Sequence, residues 1–206
     1  MERYTITGAK ILTPWGVIDP GWLTVENGRV VSAGPVAPEE PGRQIPAPGA
    51  LVSAGLIDIH IHGAKGRWGF LDKDELLSMA AALPEFGVTA FCPATVSLPH
   101  QQVVASLKLI REAADGQPHG RYYEYSPDAP APQGSRILGA HLEGPYISKK
   151  RPGAHNPLAI RDPDGEEIAE ILGAAGGSLR IATIAPEIPG GMELLKLLAS
   201  KGVIVS

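Results

Sequence analysis

Residues 55–63, Gly-Leu-Ile-Asp-Ile-His-Ile-His-Gly, read as a short apolar strand that runs into a turn. Side chains at i and i+2 of a strand point to the same face. Asp58, His60 and His62 therefore share one side, and Ile57, Ile59 and Ile61 take the other. Two imidazoles beside a turn glycine, at the end of a buried strand, make a metal-ligand pair. The segments downstream of this strand set the architecture. Asp72 to Phe86 is helical, with Leu76, Leu77, Met79, Ala80 and Leu83 at helix spacing, and Gly87 then introduces a strand over Val88–Cys92. Pro99 to Ala114 is again helical, with Val103, Val104, Leu107, Ile110 and Ala114 on one face. A third strand covers Ile137–Leu142, a short helix Glu166–Leu172, a fourth strand Leu179–Ile184 and a fourth helix Gly191–Ser200. Lys201–Ser206 begins a fifth strand.

Strands and helices in strict alternation predict an α/β fold with a parallel sheet and crossover helices. Four complete units and the start of a fifth are the N-terminal part, about half, of a (β/α)8 barrel of the TIM type. A whole barrel needs about 250 residues, more than the chain holds. An open doubly wound sheet would be complete at this size, but no GxGxxG follows the first barrel strand. Ahead of the alternation lies a different texture. Tyr4–Leu12, Gly21–Val25 and Arg29–Ala33 are β-prone, and Asn27-Gly28 is a strong two-residue hairpin signal. Residues 1–50 are thus expected to form a small β module, and 51–206 an incomplete barrel with a surface insertion over 117–136. Tyr122, Tyr123 and Tyr125 in that insertion read as a loop clasp.

The 206 residues are 44% hydrophobic and 19% charged, with a net charge of −4, an ordinary globular balance. No basic cluster is dense enough for nucleic acid. Lys149-Lys150-Arg151 is the tightest cationic run and reads as a solvated loop or as a contact for an anionic ligand. No apolar stretch approaches the roughly 18 residues of a membrane helix, and the N-terminus lacks a signal-peptide layout. Cys92 has no cysteine to pair with, which points to a cytoplasmic location and a buried structural thiol.

In a parallel barrel the chemistry sits at the carboxyl ends of the strands. His60 and His62 close the first barrel strand. Glu143 closes the third, in His141-Leu142-Glu143-Gly144-Pro145, with His141 on the same face. Two imidazoles and a carboxylate suit Zn²⁺ or a similar divalent ion, which would bring the pKa of a bound water towards about 7. His155 lies on the following loop, where it could polarise a substrate carbonyl or simply bond to backbone. No residue stands out as a general base, and His100 and His119 suggest no role.

Three segments, HIHGAKGRWGF (60–70), GVTAFCPATVSLP (87–99) and above all HLEGPYISKKRPGAHNP (141–157), resemble N-acetylglucosamine-6-phosphate deacetylases of the amidohydrolase superfamily. The resemblance spans the chain. It implies a metal-dependent hydrolase that removes acetate from the 2-acetamido group of N-acetyl-D-glucosamine 6-phosphate. It also implies that the β module is the N-terminal half of a β-sandwich. Carried over by motif, Glu143 is the firmest metal ligand, and His60 and His62 form the pair that binds a second metal in some members. One or two ions are implied, Zn²⁺ first and Fe²⁺ next. His155 would contact the substrate and polarise its amide carbonyl, and Gly144 and Asn156 would help shape the sugar pocket.

The family's later histidines, its general-base aspartate and its phosphate-binding residues belong to segments beyond Ser206. The resemblance therefore implies an N-terminal fragment, inactive alone, of an enzyme that is a homodimer. A non-catalytic half-barrel needing a complementing partner is the alternative. Another amidohydrolase, a cyclic amidase or deaminase, would carry lysine or histidine in place of Glu143.

Overall fold

The computed structural model describes residues 3–118 and 134–206, and these separate into two compact units that meet in sequence near Gly55. In the first unit, β1 (Arg3–Thr13), β2 (Gly16–Glu26), β3 (Arg29–Gly34), β4 (Arg43–Pro46) and β5 (Leu51–Val52) form one mixed sheet. β1 pairs antiparallel with β2, and β2 with β3, whereas β4 and β5 both run parallel to β1. Asn27, at φ +49°, and Gly28, at φ +73°, make the tight turn that the Asn-Gly pair predicts, because both central positions need positive φ. Thr5 and Thr24 are fully buried. Thr5 Oγ1 donates to Pro41 O at 2.6 Å and lies 2.9 Å from Thr24 Oγ1, so neither hydroxyl is left without a partner.

The second unit alternates as expected. β6 (Leu56–Ile61) leads through a small hairpin, β7 (Gly63–Ala64) and β8 (Arg67–Trp68), into α1 (Lys73–Ala82). Next come β9 (Val88–Pro93), α2 (His100–Asp115), β10 (Arg136–Ile137) and β11 (Ala140–Glu143). The described chain ends with α3 (Gly165–Ala175), β12 (Leu179–Thr183), α4 (Gly191–Ser200) and β13 (Ile204–Val205). β6, β9 and β10 pair in parallel, as do β11, β12 and β13. A bridge from Ala94 to His141 and the bond Thr95 N–H to His141 O, 3.0 Å, join the two sets. Each strand thus lies beside its neighbours in chain order. This differs from an open doubly wound sheet, where the order reverses at a switch point.

Three local departures have plain causes. Pro84 cannot donate to an α-helical carbonyl, so α1 stops at Ala82 and Leu83–Phe86 form a 3-10 turn closed by Gly87. The third strand is split at Gly139, which takes φ +134° where a Cβ would collide with Ser178 O; β10 stays on β9 while β11 crosses to β12. β6 is not a buried strand. Leu56, Ile57 and Ile59 are 61%, 56% and 58% exposed, because among the described residues β6 pairs only with β9. The insertion is described only at its ends, where Gln117 accepts from Ile137 N–H and donates to Ser135 O. His119 and the three tyrosines lie outside the described residues.

One apolar core holds the second unit, built from Phe70, Leu76, Phe91, Leu107, Ile137, Leu198 and their neighbours. Asp164 caps α3 by accepting from Glu166 and Glu167 N–H. Phe91→Ala removes a fully buried ring from this core and is expected to cost about 3–5 kcal/mol of unfolding free energy. Asp164→Ala is expected to cost about 1 kcal/mol. Urea unfolding of the two variants checks both values and their order.

Candidate metal and substrate site

Parallel pairing puts the carboxyl ends of β6, β9, β11 and β12 on one side of the sheet, and the polar residues gather there. His60 lies near the end of β6 and His62 just past it; Glu143 is the last residue of β11. The ligand-type atoms of these three residues all lie within 4.8 Å of one another. Glu143 Oε2 is 3.3 Å from His62 Nε2, and Oε1 is 3.8 Å from His60 Nε2. His155, on the loop after β11, brings its Nε2 to 3.2 Å from Glu143 Oε2. One carboxylate therefore faces three imidazoles drawn from segments far apart in the chain.

Backbone carbonyls assign the protons. Ala94 O lies 3.1 Å from His62 Nδ1 and can only accept, so that nitrogen carries the hydrogen. In the neutral ring, Nε2 then carries the lone pair, 3.3 Å from Glu143 Oε2, so the two could share a cation. This fits a divalent ion, since a histidine whose other nitrogen donates to a carbonyl is the usual oriented ligand. His62 and Glu143 would hold such an ion, with His60 beside them.

His141 sits behind the cluster. Its Nδ1 donates to Ile59 O at 2.9 Å and its Nε2 lies 2.8 Å from the Thr183 hydroxyl, so the ring pins β6 to β11 and β12. His60 Nδ1 is 3.2 Å from the same His141 nitrogen, and the two rings meet edge to face. The Thr95 hydroxyl accepts from Glu143 N–H at 3.2 Å and so steadies the carboxylate's backbone. Thr95 and Ser97 lie in the 87–99 segment that carries the resemblance, which gives them no defined chemical role, and Thr183 does not stand out in the sequence. Their mark there is a small hydroxyl residue at or just past a strand's carboxyl end.

A cavity of about 840 Å³ opens over the cluster, lined among others by His62, Trp68, Glu143, Arg151, His155 and Asn156. Asn156 Oδ1 is engaged by Leu158 N–H at 3.0 Å. Gly144, at φ +67°, lies so close to Ser97 Oγ that a Cβ would collide with it, and the same Cβ would crowd the His155 ring. Of the cationic run, Arg151 borders the cavity while Lys149 and Lys150 are simply exposed. His100 is placed elsewhere, between α2 and α3, with Nε2 2.7 Å from Glu170 Oε2. Cys92 is buried, and burial pushes its thiol up to about 11, which suits packing and not nucleophilic attack.

Burial, the largest influence, holds His141 below the usual histidine value despite the Ile59 carbonyl. The unfolded chain therefore takes up a proton on this ring at a higher pH than the folded chain. Below about pH 6.5 the unfolded state binds more protons, and stability falls until the folded ring protonates as well. His141→Asn is expected to flatten this part of the slope. Urea unfolding with chelator present, from about pH 7 down to about pH 5, checks it; an unchanged slope would contradict the assignment.

No protein-family model matches the chain. It is 32% identical, over its whole length, to 50% of the N-acetylglucosamine-6-phosphate deacetylase of Bacillus subtilis. It is 26% identical, over 98% of its length, to 49% of the N-acetylgalactosamine-6-phosphate deacetylase of Escherichia coli O157:H7. A solved structure of a Mycobacterium smegmatis N-acetyl-D-glucosamine-6-phosphate deacetylase variant, in complex with N-acetyl-D-glucosamine 6-phosphate, matches all of the chain and 49% of that protein. Its TM-score is 0.82 at 31% identity. The chain spans about half the length of the curated relatives it matches. Over its whole length the chain is a homologue of the N-acetylglucosamine-6-phosphate deacetylases.

Proposed function

We propose that the chain is the N-terminal half of a metal-dependent deacetylase that hydrolyses N-acetyl-D-glucosamine 6-phosphate to D-glucosamine 6-phosphate and acetate. The observation that carries this is the Glu143 carboxylate, 3.2–3.3 Å from the Nε2 atoms of His155 and His62, at the floor of a cavity large enough for a sugar phosphate. Glu143, His62 and His60 are the proposed ligands of one or two divalent ions, Zn²⁺ before Fe²⁺. Such an ion supplies a Lewis acid and lowers the pKa of a bound water.

The chain's own residues supply orientation. His155 presents an N–H to the cavity and would donate it to the acetamide oxygen as negative charge builds there. Gly144 leaves room for that ring, and Asn156 and Arg151 border the space for the sugar. The general base is assigned to the portion of the relatives that this chain does not span. In the same reading the strand order is that of half a (β/α)8 barrel, and the first unit's single sheet is one layer of a β-sandwich. The exposed apolar side chains of β6, with Ile204 of β13, would be covered by the remaining units. The domain boundary is placed near residue 50 and the insertion over 117–136.

The assembled enzyme is proposed to be a cytoplasmic homodimer without a nucleic-acid or membrane partner. A net charge of −4 agrees with the first exclusion, and no helix among the described residues is long and apolar enough to cross a membrane. The Escherichia coli O157:H7 relative makes the galactosamine epimer a second substrate to test.

Turnover of both sugar phosphates by the full-length protein, read as acetate release, tests the reaction. His155→Gln is expected to lower kcat about a hundredfold, and a protein that releases no acetate from either sugar would overturn the proposal. Equilibrium dialysis with Zn²⁺ tests the ligands separately. Glu143→Gln is expected to weaken uptake by at least about tenfold, and unchanged uptake would remove Glu143 from the metal site.

A further inference from the structure

His155 is held from behind by one residue. Ser97, 3% exposed on the loop after β9, sends its backbone N–H to His155 Nδ1 at 3.0 Å, and its Oγ lies 2.8 Å from the same nitrogen. A backbone N–H can only donate, so Nδ1 must offer a lone pair and the ring's hydrogen must sit on Nε2. With Nδ1 unprotonated, the Ser97 hydroxyl can act toward it only as a second donor. The opposite tautomer would set Nδ1–H against a buried backbone N–H, leaving a donor without an acceptor. Nε2, which then carries the hydrogen, lies 3.2 Å from Glu143 Oε2.

The supports of this contact are themselves fixed. Leu98 O, the next carbonyl after Ser97, accepts from the Arg161 guanidinium at 2.9 Å, and Arg161 N–H donates to Pro145 O at 3.2 Å. Arg161 also pairs with Glu167 at 2.7 Å, so both ends of the His155 loop are tied to α3. Gly144 closes the remaining side, where any Cβ would strike Ser97 Oγ.

We propose that Ser97 is a positioning residue that fixes the hydrogen of His155 on Nε2 and holds the ring, making His155 a standing hydrogen-bond donor to the reacting centre. The choice of donor over metal ligand is thereby made by Ser97, since a nitrogen that carries hydrogen has no lone pair for an ion. The assignment deepens the deacetylase reading and rests on it for the identity of the reaction, but the proton's location on the ring does not.

The first experiment is therefore spectroscopic. Nitrogen NMR of the full-length protein with ¹⁵N-labelled histidine and no substrate should show His155 with Nδ1 unprotonated and Nε2 protonated. A protonated Nδ1, or a ring averaged between tautomers, would overturn the proposal. Ser97→Ala keeps the backbone donor and loses the hydroxyl. Its His155 ring should keep Nε2 protonated, because the backbone N–H remains, but be held less firmly, so the ring signals should broaden and kcat should fall about tenfold with KM within about twofold. Ser97→Thr, which keeps a hydroxyl, should restore both. In a His155→Gln background, Ser97→Ala should cost nothing further. An equal loss in that background, or unchanged ring signals and kcat in Ser97→Ala alone, would show that Ser97 does not act through His155. If the parent protein releases no acetate yet shows the Nε2–H ring, the deacetylase reading fails and the Ser97 assignment stands.

Discussion

The backbone hydrogen bond from Thr95 N–H to His141 O, 3.0 Å long, joins the β6–β9–β10 set to the β11–β12–β13 set. Without it, Glu143 would belong to one sheet and the His60–His62 pair to another. The same junction is reinforced by side chains. The Thr95 hydroxyl takes Glu143 N–H, and His141 reaches back to Ile59 O and sideways to Thr183. The split at Gly139 serves the junction too. A continuous third strand would stay on β9, and the kink lets β11 pair with β12 while its first residues remain beside β9.

Charge in the cluster is arranged by groups that carry none. Ala94 O places the ring hydrogen of His62 on Nδ1, and Ser97 N–H places that of His155 on Nε2, the nitrogen 3.2 Å from Glu143 Oε2. Two imidazoles that flank the same carboxylate oxygen thus arrive with opposite faces: one offers a lone pair, the other a donor. Backbone groups suit this task because their positions are set by strand pairing and do not depend on protonation. The protein can hold one ring ready for a cation and another ready for an oxyanion within a few ångströms.

Much of this was legible in the chain. The apolar runs and helical faces mark the parallel strands and the helices of the second unit, though not the β7–β8 hairpin, and the α4 boundaries agree residue for residue with the pattern. The sites of disagreement are where a single residue overrides periodicity. Pro84 cuts a helix that hydrophobic spacing would carry to Phe86, and Gly139 breaks a strand that looks continuous. The exposure of Ile57 and Ile59 could not be read from their apolar character, because burial depends on which strands lie alongside. Among site residues, His60, His62 and Glu143 announce themselves by chemistry and position. Thr95, Ser97 and Thr183 do not, since small hydroxyl residues near strand ends are common and mean nothing until a partner is in range.

Sequence alone determined the longer elements, their alternation and the residue types able to bind a cation, because these follow from side-chain periodicity and from local turn chemistry, whereas the short strands β4, β5, β7 and β8 carry too few residues for a period. It also placed those residues at strand ends, where parallel pairing collects them. Tertiary structure decided which of them meet and in what protonation. His155 could have been a loop histidine with any backbone partner. It becomes a donor facing Glu143 only because the loop after β9, 58 positions earlier in the chain, delivers the Ser97 N–H to its other nitrogen. Hydrogen bonds act over about 3 Å, so contacts of this kind exist only once the chain is folded.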